Sequence, residues 1–194
     1  MSQGEKRIIL VTGGIRSGKS RFAQKLVADL SVSVRYIATA EARDEEMKKR
    51  VHLHQANRPS SWPTVEEPLN LASLFTSSAI QTEQAMVTLI DCITVWVSNM
   101  LLQRDISDIE YWESNAGIKE VENNVDQFIS AILTYPKSIV IVTNEVGWGG
   151  IALSPLGRVY QDILGWTNQK IAAAADEVYF VAAGLPLVLK GSKL

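Results

Sequence analysis

Short runs of apolar residues recur along the chain, and most are followed by a longer segment with a different pattern. The runs are rich in Ile and Val and five or six residues long, which is typical of strands buried on both faces of a sheet. Glycine, proline or polar residues end most of them. This pattern predicts strands at Ile8–Thr12, Val34–Ala38, 86–90, 138–143 and Glu177–Ala182, with a short additional strand at 187–190.

The segments between these runs have apolar residues at helical spacing. Helices are predicted at Lys19–Leu30, 44–55, 113–134 and 156–175. Strands that alternate with helices indicate an α/β fold with a mostly parallel sheet and helices on both faces. The sequence contains no repeat, low-complexity tract or linker-like segment, so we predict one domain over residues 1–194.

Composition narrows the class of protein. The chain has 194 residues, 46% of them apolar, and a net charge of −2, which argues against general affinity for nucleic acid or anionic membranes. No apolar stretch reaches the roughly 20 residues of a membrane helix, and the first apolar run is too short for a signal peptide. Cys92 is the only cysteine, which excludes an internal disulfide. We therefore expect a cytoplasmic protein without membrane insertion.

The segment after the first strand matches the phosphate-binding P-loop pattern, GxxxxGKS, between a strand and a helix. Its glycines let backbone N–H groups converge on phosphates, and the helix N-terminus adds partial positive charge. Lys19 is placed to contact the β and γ phosphates, and the Ser20 hydroxyl to bind Mg²⁺. The predicted nucleotide-binding residues here are Gly13, Gly14, Ile15, Arg16, Ser17, Gly18, Lys19 and Ser20.

Two carboxylates follow predicted strands. Asp91 ends the run MVTLID, at the edge of the sheet where ligands of parallel sheets bind, and is predicted to complete the Mg²⁺ site with Ser20. An N-cap for a helix that starts at Ile93 is an alternative role for Asp91. Glu145, behind SIVIVTN, is either a second polar group at this edge or a solvated loop residue.

The only two histidines lie in the predicted helix 44–55. His54 shares a helical face with Met47 and Val51, whereas His52 points nearly the opposite way. Because the two side chains diverge, they do not form a metal site. His54 is either a packing residue or a nucleophile or base beside the phosphates.

Several motifs together resemble the adenosylcobinamide kinase/adenosylcobinamide-phosphate guanylyltransferase family. They include GGIRSGKSRFAQ, RVHLHQANRP and TNEVGWG, and the resemblance extends from Ile8 to about Lys190. Ile15 is a departure, because the family usually has alanine there. The resemblance implies a P-loop NTPase-like, RecA-like fold.

The resemblance also implies the chemistry. ATP or GTP phosphorylates adenosylcobinamide, and His54, not His52, carries GMP from GTP to adenosylcobinamide phosphate, with Lys19 acting on the phosphates in both reactions. A homotrimer is implied, with the corrinoid held where subunits meet. Further nucleotide contacts are implied at Thr39, Ala40, Glu41, Gln55, Ala56, Asn57, Arg58, Glu66 and Asp91; Glu67 is a second carboxylate next to Glu66.

Two other functions remain open from the residues alone. One is a P-loop kinase for another small metabolite, without a covalent histidine intermediate. The other is a nucleotide-dependent regulatory switch without metabolite chemistry. Trp62 and Trp148 flank the motif segments, and either pack within the protein or contact a base or the corrin ring.

Overall fold

The computed structural model describes residues 6–31, 33–41, 59–77, 80, 85–103, 111 and 115–191. A seven-stranded sheet forms its centre. The strands are β1 (Ile8–Thr12), β2 (Val34–Ala38), β3 (Thr64–Glu66), β4 (Val87–Asp91), β5 (Ser138–Val142), β6 (Glu177–Ala182) and β7 (Leu185–Lys190). The helices are α1 (Lys19–Leu30), α2 (Leu71–Thr76), α3 (Ile93–Leu102), α4 (Asn115–Thr134) and α5 (Pro155–Ala174).

The strand order across the sheet is β3-β2-β4-β5-β1-β6-β7. All neighbouring pairs are parallel except β6 and β7, which form an antiparallel hairpin at one end. The prediction of a mostly parallel sheet is therefore confirmed. Strand β5 lies between β1 and β4, so one strand separates the strand that ends in Asp91 from the strand that precedes the P-loop.

Both faces of the sheet are covered, as predicted. Successive residues of a strand point to opposite faces, and in β1 the residues Ile8 and Leu10 belong to one buried cluster, Ile9 and Val11 to another. The first cluster includes residues of α2, α3, α4 and α5, whereas the second includes residues of α1. This double burial explains why the strands are almost continuously apolar.

Four predicted elements have the observed bounds, namely β1, α1, β2 and β6. Others differ by one residue: β4 and α5 are each shifted by one, and β5 ends at Val142. Helix α4 ends at Thr134 as predicted, and its first predicted residues, 113 and 114, lie outside the described residues. Strand β7 is longer than predicted and begins at Leu185. The predicted helix 44–55 lies outside the described residues. No helix in the described part of the chain has the length and apolar character needed to span a membrane.

Candidate functional site

The loop between β1 and α1 depends on glycine at two positions. Gly13 has φ +154°, and a Cβ there would lie 2.4 Å from the carbonyl oxygen of Val181. Gly18 is the N-cap of α1 with φ +96°, and its Cβ would lie 3.1 Å from the Cα of Gly184. Residues with side chains rarely adopt either backbone conformation. The motif glycines therefore allow the loop to pack against the β6–β7 hairpin.

A buried hydroxyl lies inside this loop. The backbone of Ser17 donates to Gly14 O at 3.2 Å and accepts from Gly184 N at 2.8 Å. Its side-chain Oγ is buried and, within the described ranges, has no hydrogen-bond partner. Buried polar atoms are normally paired, so an unpaired hydroxyl in this loop fits a site that a polar ligand completes. Ile15 is 79% exposed, so its larger side chain does not fill the loop.

Lys19 is buried at the first position of α1, with 8% of its surface exposed. Its Nζ donates to Gly14 O, 3.0 Å away, within the same loop. Burial lowers the pKa of Lys19 from its ordinary value, and the nearby Cys92 and Asp91 oppose that shift. Lys19 and the predicted metal carboxylate therefore interact electrostatically at the same edge of the sheet.

Asp91 is the last residue of β4, at the carboxyl edge of the sheet. Its Oδ2 accepts a hydrogen bond of 3.1 Å from the hydroxyl of Tyr36. The alternative role as a helix cap is wrong, because the N-cap of α3 is Cys92. Burial, followed by the negative charge of Asp91, raises the pKa of the Cys92 thiol to about 11, so this cysteine is a neutral thiol near pH 7.

The end of β2 lies beside Asp91, because Ala38 and Asp91 are register partners. Thr39 is fully buried; its Oγ1 donates to Cys92 O at 2.7 Å and accepts from Cys92 N at 2.9 Å. Asn99 Nδ2 donates to Thr39 O at 2.7 Å. The Thr39 hydroxyl therefore ties β2 to β4, and this segment, with Ala40 and Glu41, extends the same edge of the sheet.

Glu66 ends β3, the strand that pairs with β2 through Ala38. Its side chain is exposed. The adjacent Glu67 is used within the protein, since its Oε1 accepts hydrogen bonds from the backbone of Leu69 and Asn70 at 3.0 and 2.7 Å. The carboxylate of Glu66 is thus the more accessible of the two, and its role as a nucleotide contact stays a prediction.

Glu145 is anchored next to the P-loop. Its backbone N–H donates to Gly13 O at 3.0 Å, and its Oε1 accepts from Gly147 N at 2.7 Å.

The two tryptophans differ in exposure. Trp62 is 8% exposed and belongs to the buried cluster beneath α1, whereas Trp148 is 79% exposed. Trp62 is therefore a packing residue, which is one of the two roles considered for the tryptophans.

The structure thus brings the predicted residues to one edge of the sheet, at the ends of β1, β2, β3 and β4. These are the P-loop from Gly13 to Ser20, then Thr39, Ala40, Glu41, Glu66 and Asp91. Six further residues lie outside the described residues: His52, His54, Gln55, Ala56, Asn57 and Arg58.

Polar residues outside the predicted set also lie at this edge. Thr94, Thr143 and Asn168 form hydrogen bonds with one another or with the backbone of Asn144. They belong to α3, to the segment after β5 and to α5. The motif TNE contains one of them, but no local spacing connects the three.

Comparisons with known proteins are consistent with this arrangement. Residues 9–189 match the CobU family, described as cobinamide kinase / cobinamide phosphate guanyltransferase. The bifunctional adenosylcobalamin biosynthesis protein CobP of Pseudomonas aeruginosa is 40% identical over 185 residues, which cover 95% of this chain and 98% of that protein. CobU of Escherichia coli is 40% identical over 184 residues, covering 94% and 99%.

Solved structures are similar in fold alone. The flagellar accessory protein FlaH of Methanocaldococcus jannaschii matches with a TM-score of 0.51 at 16% identity, over 97% of this chain and 82% of that one. A KaiC-like protein of Pyrococcus horikoshii matches with a TM-score of 0.51 at 14% identity, over 97% and 81%. These likenesses confirm the predicted P-loop NTPase-like fold.

Proposed function

The chain belongs to the cobinamide kinase / cobinamide phosphate guanyltransferase family, and we propose that it performs both reactions in adenosylcobalamin biosynthesis. The observation that carries the proposal is the glycine-built loop with the buried Ser17 hydroxyl, which has no hydrogen-bond partner among the described residues, and with Lys19, which interacts electrostatically with Asp91. A phosphate chain in this loop would receive backbone N–H groups, the positive end of α1 and the Lys19 ammonium group.

In the kinase reaction, the terminal hydroxyl oxygen of adenosylcobinamide attacks the γ-phosphorus of ATP or GTP. The bond from that phosphorus to the bridging oxygen breaks, the nucleoside diphosphate leaves, and the hydroxyl proton passes to solvent. Lys19 and the N–H groups of the loop stabilise the charge that moves onto the phosphate oxygens. No protein nucleophile is needed for this step.

In the guanylyl transfer, a ring nitrogen of His54 attacks the α-phosphorus of GTP and pyrophosphate leaves. A phosphate oxygen of adenosylcobinamide phosphate then attacks the same phosphorus and releases the histidine, giving adenosylcobinamide-GDP. A neutral imidazole is a competent nucleophile near pH 7. His54 enters by family resemblance, with Gln55, Ala56, Asn57 and Arg58 as neighbouring nucleotide contacts; Arg58 is suited to bind a phosphate through its guanidinium fork.

Mg²⁺ fits the residues at this edge. The ion takes oxygen ligands and is usually bound through one or two protein groups together with substrate phosphates. Ser20, the second residue of α1, and the Asp91 carboxylate supply oxygens of this kind, and Asp91 acts on Lys19 electrostatically. Bound there, Mg²⁺ would neutralise charge on the phosphates in both reactions.

Of the remaining proposals, the homotrimer and the further nucleotide contacts rest on the resemblance, whereas the single domain and the cytoplasmic location rest on the pattern and composition of the sequence. We propose a single domain over residues 1–194, a cytoplasmic location and a homotrimer that holds adenosylcobinamide where subunits meet. Glu66 and the segment Thr39, Ala40 and Glu41 would contact the nucleotide from the strands next to Asp91.

The two histidines give the sharpest test. After incubation with α-labelled GTP and Mg²⁺, the wild-type protein and His52→Ala should carry acid-labile GMP, and His54→Ala should carry none. His54→Ala should still phosphorylate adenosylcobinamide, because the kinase step needs no nucleophile from the protein.

Label that persists in His54→Ala would contradict the assignment of the nucleophile. A wild-type protein that phosphorylates but never becomes labelled would instead be a kinase without the covalent step. Nucleotide binding with neither activity would point to a regulatory switch.

A further inference from the structure

Beyond the last paired residues of the sheet, side chains continue to connect its strands. The ladders of β5 with β1 and with β4 both end at Val142, opposite Val11 and Asp91. The next residues, Thr143 and Asn144, are held by hydrogen bonds from other elements. This is the point at which the P-loop and Asp91 face the same ligand in the proposed function.

Four hydrogen bonds close a ring there. Asn144 N donates to Thr94 Oγ1 at 2.6 Å, and Asn168 Nδ2 donates to Asn144 O at 3.0 Å. Thr143 Oγ1 donates to Asn168 Oδ1 at 2.7 Å. The Thr94 and Thr143 hydroxyl oxygens are 3.4 Å apart. Thr143 donates its proton to Asn168 Oδ1, and the contact between the two hydroxyls is longer than an ordinary O–H···O hydrogen bond.

The direction of three of these bonds is determined, since Asn144 N can only donate. Asn144 O can only accept, so the Asn168 amide must present its NH₂ group there and its oxygen to Thr143. Thr143 is fully buried, and Thr94 is 7% exposed. Asn144 and Asn168 are half-buried. Hydrogen bonds that follow one another in a network polarise each other, and leaving one of its buried groups unpaired is costly. The ring is therefore a stiff connection rather than a set of independent contacts.

The ring links the two halves of the proposed site. On one side, Glu145 follows Asn144 and donates its N–H to Gly13 O of the P-loop at 3.0 Å. On the other side, Thr94 lies three residues after Asp91, and Tyr160 of α5 donates its hydroxyl to Thr94 O at 3.3 Å. A shift of the segment after β5 would thus change the position of the phosphate loop relative to the metal carboxylate.

We propose that Thr94, Thr143 and Asn168 are positioning residues that maintain the spacing between the P-loop and Asp91. The inference rests on the proposed nucleotide and Mg²⁺ site. Its consequence is specific: the ring determines how much Mg²⁺ strengthens the binding of a nucleoside triphosphate, since that gain requires the phosphates and the carboxylate to reach one ion.

The chain offers a matched pair of variants. Thr143 and Thr88 are both fully buried threonines, the first directly after β5 and the second within the adjacent β4. The Thr88 hydroxyl has no hydrogen-bond partner among the described residues. Valine replaces threonine at nearly constant volume, so Thr143→Val opens the ring and Thr88→Val does not. Thr143→Ser keeps the hydroxyl and should behave as the wild type.

The measurement is the dissociation constant of the β,γ-imido analogue of ATP, with and without Mg²⁺, by calorimetry on the intact protein. Thr143→Val should reduce the Mg²⁺-dependent gain in affinity by about tenfold, within the usual range of coupling between sites. Its affinity without Mg²⁺ should change less than about threefold, a limit of roughly 0.65 kcal/mol. Thr88→Val and Thr143→Ser should keep the full gain.

A second pair uses α5. Asn168→Asp replaces the amide donor to Asn144 O by an oxygen and should also lose the gain. The adjacent Thr167 is fully buried, and its hydroxyl has no partner in the described ranges, so Thr167→Val should retain the gain.

Thermal unfolding of each variant separates positioning from folding. A lower melting temperature for Thr143→Val with an unchanged Mg²⁺-dependent gain would overturn the proposal and leave the ring a purely structural feature. A gain reduced equally by Thr88→Val would also overturn it. If Mg²⁺ does not strengthen the binding of the analogue to the wild-type protein, the proposed metal site itself is contradicted. This outcome is distinguishable from failure of the positioning role, which concerns the variants alone.

Discussion

The amino edge of the sheet and the P-loop at its carboxyl edge differ in how their polar groups are hydrogen-bonded. At the amino edge, Arg7 pairs with Glu177 at 2.9 Å, Tyr179 donates to the other oxygen of Glu177 at 2.6 Å, and Asp176 accepts from Ile8 N at 2.7 Å. At the carboxyl edge, the Ser17 hydroxyl is unpaired among the described residues, and Lys19 donates to its own loop. The polar groups at the amino edge are paired within the protein, whereas the P-loop at the carboxyl edge keeps groups that we propose a ligand completes.

This difference separates stability from function. A polar group that is already paired contributes to folding and has little left to offer a substrate. A group held without a strong partner costs some stability and is available for binding. Substitutions of Lys19 in the P-loop and of Asp91 should therefore change activity much more than stability, and substitutions at the amino edge should change stability much more than activity. The following predictions test that contrast in order of expected size.

Lys19→Ala should have the largest effect. Both the kinase and the guanylyl-transfer rates should fall by about 10²–10³-fold, as expected when one group that stabilises transition-state charge is removed. Stability should change by only about 1 kcal/mol, since one hydrogen bond to Gly14 O is lost. Steady-state rates and urea unfolding of the same preparation measure the two quantities. A variant with full kinase activity would contradict the P-loop assignment.

Asp91→Asn should come next. The substitution keeps an acceptor for the Tyr36 hydroxyl but removes the charge, so the rate at limiting Mg²⁺ should fall by about tenfold or more because a metal ligand is weakened. Titration of the rate with Mg²⁺ measures the shift. Glu145→Gln is the matched control, since its carboxylate accepts from Gly147 N within its own loop. An equal loss in both variants would contradict the special role of Asp91.

Glu177→Gln, at the amino edge, should lower stability and leave activity unchanged. It weakens a charged acceptor shared by Arg7 and Tyr179, so the free energy of unfolding should fall by about 1–3 kcal/mol. The melting temperature should fall by about 2–4 °C for each kcal/mol. Activity per folded molecule should stay unchanged. The exposed Asp162 provides the control, since Asp162→Asn should change stability by less than about 0.5 kcal/mol.

The smallest expected effect is a pH dependence at the same edge. Burial, together with the hydrogen bond to Glu177 and its charge, raises the pKa of Tyr179 to about 12, above the value of about 10 for an unfolded chain. The neutral phenol is thus favoured in the folded state. Its contribution to stability is fully present below about pH 10 and is lost as the pH rises toward 12.

Urea unfolding of wild type and Tyr179→Phe from pH 8 to 11 tests this. The stability difference between the two proteins should be constant up to about pH 10 and then shift against the wild type. A difference that is independent of pH would mean that Tyr179 ionises alike in both states.

Local pattern was sufficient for much of this fold. The bounds of β1, α1, β2 and β6 follow from apolar runs and helical spacing, because each of these elements buries a face that its own sequence defines. The P-loop could also be predicted from the sequence, because its glycines adopt backbone conformations that only a few neighbouring residues determine. Strand β3 was missed because three residues are too few to show a period.

What the sequence alone determined, then, is the set of groups that we propose bind a phosphate: the glycine loop, Lys19, Ser20 and an acid at a strand end. The tertiary structure alone decided that β5 separates β1 from β4, and that Thr94, Thr143 and Asn168 join across that separation. The pairs in the ring are 24 to 50 residues apart in the chain. Sequence periodicity reports burial within one element, whereas strand order and hydrogen bonds between elements depend on how those elements pack.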